Sequence, residues 1–245
     1  MRAFTHVSAP SAPDYALHVP RHLQLALAAG LLTGAAGLGL LVAVPGLPSL
    51  LGGVLLLVGL ISLAFVLALG VITNPALRRH ARAQMLNSVT WRGDERVLDV
   101  GCGNGFLLNE AAKHLTTGLA TGIDVWKAEA GAQTADLALR NARLEGVADR
   151  VEVENVDARS MPFADNTFDV IVSSLMLHHA GGGQERQRVL QEMARVLKPE
   201  GRILLYDASP LITDAARRLK AIGVTSIERT GGVMARLSAS QQTAT

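Results

Sequence analysis

The residues best suited to chemistry are a glycine run behind one acid, two further acids, and a pair of histidines. Val97-Leu98-Asp99-Val100 is a short apolar stretch that runs into Gly101-Cys102-Gly103-Asn104-Gly105. Glycines there allow a tight turn and the close approach of a ligand to bare backbone N–H groups. The spacing is G-x-G-x-G rather than the G-x-G-x-x-G of dinucleotide sites. Asp99 is well placed to accept hydrogen bonds from an ammonium group and badly placed beside a pyrophosphate. Asp124 ends the next apolar stretch, where a carboxylate can hold both hydroxyls of a ribose diol. Asp157 comes after a third and can accept from an exocyclic amine, with the Ala158 N–H free to donate to a ring nitrogen. His178, His179 and Asp207, after the fourth and fifth stretches, are groups that can move a proton. No spacing of histidine, cysteine and acid suggests a metal site.

The elements around these residues alternate. Strands are expected at 97–100, 119–125, 150–155, 168–174 and 202–207. Helices are expected at 106–115, 129–145 (with Leu137, Leu139 and Leu144 facing inward), 184–197 and 213–222. A hairpin of 224–229 and 233–238 closes the series. Such alternation predicts a parallel α/β sheet with helices on both faces. Its ligands sit in the glycine-rich turn after the first strand. Met161, Met176 and Met193 read as core. Trp126 could cover or underlie a purine, Tyr206 could belong to the core, and Gly181-Gly182-Gly183 reads as a mobile edge of the acceptor pocket.

The N-terminal third is different. From His22 to Leu77 there is no Asp, Glu, Lys or Arg, and mean hydropathy over the whole chain is +0.28. Leu23–Val44 and Ser49–Ile72 are each longer than the ~20 apolar residues that cross a bilayer core, and Pro45-Gly46-Leu47-Pro48 separates them. The expectation is a mobile tail (1–22), a transmembrane helical hairpin (23–72), a juxtamembrane amphipathic helix and linker (73–95), and a catalytic domain (96–245). Arg21 precedes the hairpin and Arg78, Arg79 and Arg82 follow it, which predicts a two-span protein with both termini and the catalytic domain cytoplasmic. Gly30-Leu31-Leu32-Thr33-Gly34 is a small-residue motif that could pair helices within the hairpin or in a homodimer. A lone Cys102 excludes an intrachain disulfide. The near balance of 23 basic and 21 acidic residues, with no basic stripe, argues against nucleic acid as a partner.

Amine, diol and purine contacts at three successive strand ends describe S-adenosylmethionine. Residues 96 to about 238 also resemble class I S-adenosylmethionine-dependent methyltransferases, and within them the branch of quinone and sterol C-methyltransferases that includes many small-molecule methylators. Val97–Gly105 matches the first motif of the family, and Gly122-Ile123-Asp124 its acidic second strand end. Asp157–Phe163 with Phe168–Ser174 matches the adenine loop and fourth strand, and Arg195–Arg202 the approach to strand five. The resemblance implies a Rossmann-like, doubly wound seven-stranded sheet of order 3-2-1-4-5-7-6. It also implies cofactor contacts from Asp99, Gly101, Cys102, Gly103, Gly105, Asp124, Val125, Asp157, Ala158 and Ser174. Ser173-Ser174-Leu175-Met176 lacks the Asn/Asp-Pro-Pro-Tyr/Phe of amide and adenine N-methyltransferases, so the expected acceptor is a small, lipophilic molecule reached from the bilayer. A base is needed only if that acceptor must lose a proton, and His178, His179 and Asp207 are the candidates. The rival readings are a non-catalytic S-adenosylmethionine-binding module on the membrane and a nucleotide-cofactor oxidoreductase.

Overall fold

The computed structural model describes residues 12–15, 75–126, 134–232 and 234–240, with isolated positions between 25 and 65. The chain divides into two units, one of Met1–Ala16 with Arg82–Thr245 and one of Leu17–Ala81.

The helix α1 (Pro75–Leu86) is followed by β1 (Arg96–Val100), α2 (Phe106–Ala112), β2 (Leu119–Asp124), α3 (Ala135–Leu144), β3 (Val151–Asn155) and β4 (Phe168–Ser174). Then come α4 (Gly183–Val196), β5 (Leu197–Ala208), α5 (Ser209–Ala221), β6 (Ser226–Gly231) and β7 (Met234–Ser240). The strands form one seven-stranded sheet in the order β3-β2-β1-β4-β5-β7-β6. The β7 strand runs antiparallel to both β5 and β6, and the remaining pairs are parallel. This is the expected topology. Central strands are almost wholly apolar because helices cover both their faces. Val97, Leu98, Val100, Phe168, Ile171, Val172, Ile203 and Leu205 are all buried. The edge strand β6 is polar and exposed over most of its length, which discourages pairing with another chain.

Register brings the functional ends of the strands to one edge. Val100 pairs with Ile123, Asp124 with Asn155, and Ser174 with Tyr206. Gly101, Asp124, Asp157, Leu175 and Asp207 therefore leave the sheet on the same side. There β1 separates β2 from β4, the point where the chain reverses its direction of winding.

Several local expectations shift. The inward face of α3 is Ala138, Asn141 and Ala142, not the leucines, and Leu144 is 41% exposed. Small residues suit this face because α3 packs against the loop, where a Cβ at Gly105 would lie 3.4 Å from that of Ala138. Pairing of β5 begins at Leu197 opposite Phe168, and the Lys198–Gly201 stretch is absorbed as a register shift before Arg202 meets Val170.

The membrane expectation is corrected. Among the described residues no helix is long and apolar enough to cross a membrane. The 12-residue α1, which carries three arginines, lies within 73–95, where the amphipathic helix was expected. A two-span localisation with a cytoplasmic catalytic domain is therefore not upheld, nor is a hairpin as part of the fold. Most of Leu23–Val44 and Ser49–Ile72, with all of Pro45–Pro48 between them and much of the Gly30–Gly34 motif, lies outside the described residues.

Candidate active site

Between β1 and α2 the glycines of the loop do what their spacing requires. Gly101, Gly103 and Gly105 all have positive φ, at 76°, 54° and 80°. The N–H groups of Gly101 and Cys102 both donate to the Ile123 carbonyl, at 2.8 and 3.1 Å, pinning the turn against β2. Met176 covers Gly101 so closely that a Cβ there would stand 2.4 Å from its Cγ. Cys102 is buried, and that burial, with the charges of Asp99 and Asp124, pushes its thiol well above the ordinary range. It is an inert packing residue rather than a nucleophile.

Asp99 is 1% exposed, and its Oδ2 has no hydrogen-bond partner among the described residues. Burial, and secondly the charge of Asp124, raises its pKa to about 7, while the Leu108 N–H and the charge of Arg82 hold it down. A buried acceptor without a donor is costly. An incoming ammonium group would satisfy it.

Asp124 closes β2, and its Oδ2 accepts from the Gly103 N–H at 2.8 Å. The acid therefore shapes the loop and still presents its other oxygen. Trp126 donates its indole N–H to the Gly103 carbonyl at 3.1 Å, so it ties the segment after β2 to the loop. Val125 is 44% exposed beside it. After β3, Asp157 accepts from Arg159 through the backbone N–H at 2.9 Å and through the guanidinium at both oxygens. These contacts orient Asp157 at the start of the loop that follows β3. The Ala158 N–H has no acceptor among the described residues.

A clamp on this loop was not anticipated. From α4, Glu192 accepts the Met161 N–H at 2.7 Å, and Arg195 donates to the carbonyls of Phe163 and Met161 at 2.7 and 3.0 Å. The two side chains also pair at 2.8 Å. Hydrogen bonds from Arg195 hold Glu192 below the usual carboxylate range. Only the three-residue spacing of an acid and a base on a helix hinted at the pair.

The proton-transfer candidates come together. His178 Nδ1 lies 3.2 Å from Asp207 Oδ1 and 3.3 Å from Oδ2, and the His178 and His179 rings sit 3.9 Å apart. Asp207 is buried and also accepts the Ala208 N–H at 2.8 Å. Burial, and then the neighbouring His178, lowers the pKa of His179. Leu175, at φ 59°, turns the chain out of β4, and its N–H donates to the Tyr206 carbonyl. Tyr206 is buried, Ser174 Oγ has no partner among the described residues, and Ser173 ties β4 to β1 through Val100. Of the three glycines beyond, Gly182 caps α4 and Gly183 begins it.

The methyltransferase-domain family matches residues 98–205. The chain is 35% identical over 140 residues to 27-O-demethylrifamycin SV methyltransferase of Amycolatopsis mediterranei, covering 54% of this chain and 47% of that enzyme. It is 32% identical over 132 residues to demethylmenaquinone methyltransferase of Lactiplantibacillus plantarum, covering 54% and 52%. The chain thus spans about half the length of these curated relatives. A solved S-adenosylmethionine-dependent methyltransferase from Aquifex aeolicus shares the fold, with a TM-score of 0.53 and 22% identity over 64% of this chain and 88% of that one. The unpaired Asp99 oxygen, the accessible Asp124 and the open Ala158 N–H suit the amine, diol and purine of the shared donor. Residues 98–205 match a methyltransferase-domain family, and the relatives that share this region are named as methyltransferases, a match that implies S-adenosylmethionine as cofactor.

Proposed function

We propose that the protein transfers a methyl group from S-adenosylmethionine to a hydroxyl of a small, lipophilic acceptor. The contact of His178 with Asp207 carries this reading. The donor supplies a methyl group already activated on a sulfonium sulfur, so the protein mainly aligns and desolvates the reactants. An ionised Asp207 accepts only, so it selects the tautomer with a proton on His178 Nδ1 and leaves Nε2 as acceptor. That nitrogen takes the acceptor's hydroxyl proton, and Asp207 steadies the resulting imidazolium. Asp99 holds the donor's ammonium group, Asp124 its ribose, and Asp157 with the Ala158 N–H its adenine. Gly101, Cys102, Gly103, Gly105, Val125 and Ser174 are assigned to the same donor site by the family resemblance.

A small-molecule acceptor is supported by relatives named for 27-O-demethylrifamycin SV and demethylmenaquinone, the first of which names an oxygen. The test is mass spectrometry with a trideuteromethyl donor and a panel of apolar phenols and alcohols, each alongside its methyl ether. Labelled product from the free hydroxyl compounds alone supports the reading. Equal labelling of the ethers would place the methyl on carbon and overturn the reading of His178 as base to a hydroxyl.

A further inference from the structure

The described residues of the N-terminal tail, Ala12–Tyr15, are tied down rather than loose. The side-chain amide of Asn141, fully buried on α3, pairs with the backbone of Asp14 as one peptide pairs with another. Its Oδ1 accepts the Asp14 N–H at 2.9 Å and its Nδ2 donates to the Asp14 carbonyl at 2.7 Å. The same Nδ2 donates its second proton to the Asn104 carbonyl at 3.0 Å, inside the glycine-rich loop. Asn104 reaches back with its own Nδ2 towards the Asp14 carbonyl at 3.4 Å. One residue on, the Tyr15 hydroxyl donates to Glu145 at 2.9 Å and accepts from the buried Asn109 at 3.3 Å, and its ring meets Phe106 edge-on. Asn141 therefore uses one acceptor and both donor protons to lock a strap and the donor loop together.

We infer that Asn141 is a positioning residue through which seating of the Pro13–Tyr15 strap and binding of S-adenosylmethionine favour one another; this rests on the donor site described above. The physical reason lies in the position of Asn104. It stands between Gly103, whose N–H is fixed by Asp124, and Gly105, the left-handed residue that opens α2. Fixing the Asn104 carbonyl fixes the peptide that joins them. A loop held in its donor-binding shape keeps the Asn104 carbonyl where Asn141 meets it, and Asn141 so placed receives Asp14. Coupling of this kind is reciprocal: whatever the strap contributes to donor affinity, the donor returns to the strap.

The experiment is hydrogen exchange on the full chain, with and without S-adenosylhomocysteine, followed in peptides that contain Asp14 and Tyr15. The expected result is slower exchange there when the product is bound. Asn141→Ala should abolish that protection and weaken product binding roughly tenfold, raising KM for the donor with little change in kcat. Tyr15→Phe, which leaves the Asn141 contacts in place, keeps the inference testable if the first variant does not fold. It should speed exchange in the strap and weaken binding by a smaller factor. Product binding without any change in strap exchange would overturn the coupling and leave the donor site standing. Failure of the wild-type chain to bind product at all would overturn both.

Discussion

His178 and Asp207 lie 29 residues apart in sequence, yet the imidazole Nδ1 stands 3.2 Å from a carboxylate only 3% exposed. Adjacent parallel strands, with Ser174 opposite Tyr206, make the meeting unavoidable once the sheet forms. His178→Gln should lower kcat by roughly 10²–10⁴, the usual contribution of a positioned base, with donor affinity unchanged. Asp207→Asn should cost less, because it frees the tautomer without removing the ring. Single-turnover rates beside donor titration separate the two steps, and a fall in donor affinity equal to the fall in rate would count against a base.

Asp99 predicts a pH dependence whose sign is fixed by its raised pKa. The folded protein without donor holds an extra proton between the unfolded value near 4 and the folded value of about 7, so its stability falls as pH rises across that window. Above it the loss is complete, on the order of 4 kcal/mol. An ammonium group beside Asp99 favours the carboxylate, so donor binding below pH 7 should release a proton, visible in calorimetry with buffers of different ionisation enthalpy. Asp99→Asn should raise Tm at pH 8 and weaken donor binding about 10–100-fold. A flat stability profile between pH 4 and 7 would show that the carboxylate is not buried as described.

Gly101→Ala tests the packing of the donor loop. A left-handed φ costs a non-glycine residue about 1–2 kcal/mol, and the new methyl must also displace Met176. The expected outcome is a Tm several degrees lower and a larger loss of donor affinity. Gly101→Ala with Met176→Ala should recover part of the packing loss and none of the backbone strain.

Arg195→Lys tests the clamp on the loop after β3. Lysine cannot bridge Glu192 and two carbonyls in one plane. Donor KM should rise several-fold with acceptor KM unchanged, since the clamp touches only the loop carrying Asp157 and Ala158. A uniform change in both constants would point to general loosening instead.

What the sequence made legible was local and repetitive. Apolar runs such as Val97–Val100 and Phe168–Ser174 specify buried parallel strands, and the glycines and acids that end them specify the donor edge. What it hid depends on distance along the chain. Nothing near Asn141 announces that it bonds Asp14, 127 residues away, and a buried asparagine on a helix looks like a poor helix former. The leucines of α3 suggested the wrong face because the face packed against the Gly105 turn is made of small and polar residues, Ala138, Asn141 and Ala142. The uncharged N-terminal third suggested spanning helices because hydropathy counts residue types. Helix length is a separate requirement, and among the described residues none meets it.

The central claim is that this cleft binds S-adenosylmethionine through Asp124, and calorimetry on the full chain tests it most directly. The wild-type protein should bind S-adenosylhomocysteine at one site and show no heat with NADH. Asp124→Ala removes a charged acceptor worth roughly 1.5–3 kcal/mol per hydrogen bond, so affinity should fall at least tenfold. Binding of NADH, with affinity for S-adenosylhomocysteine untouched by the substitution, would contradict the account.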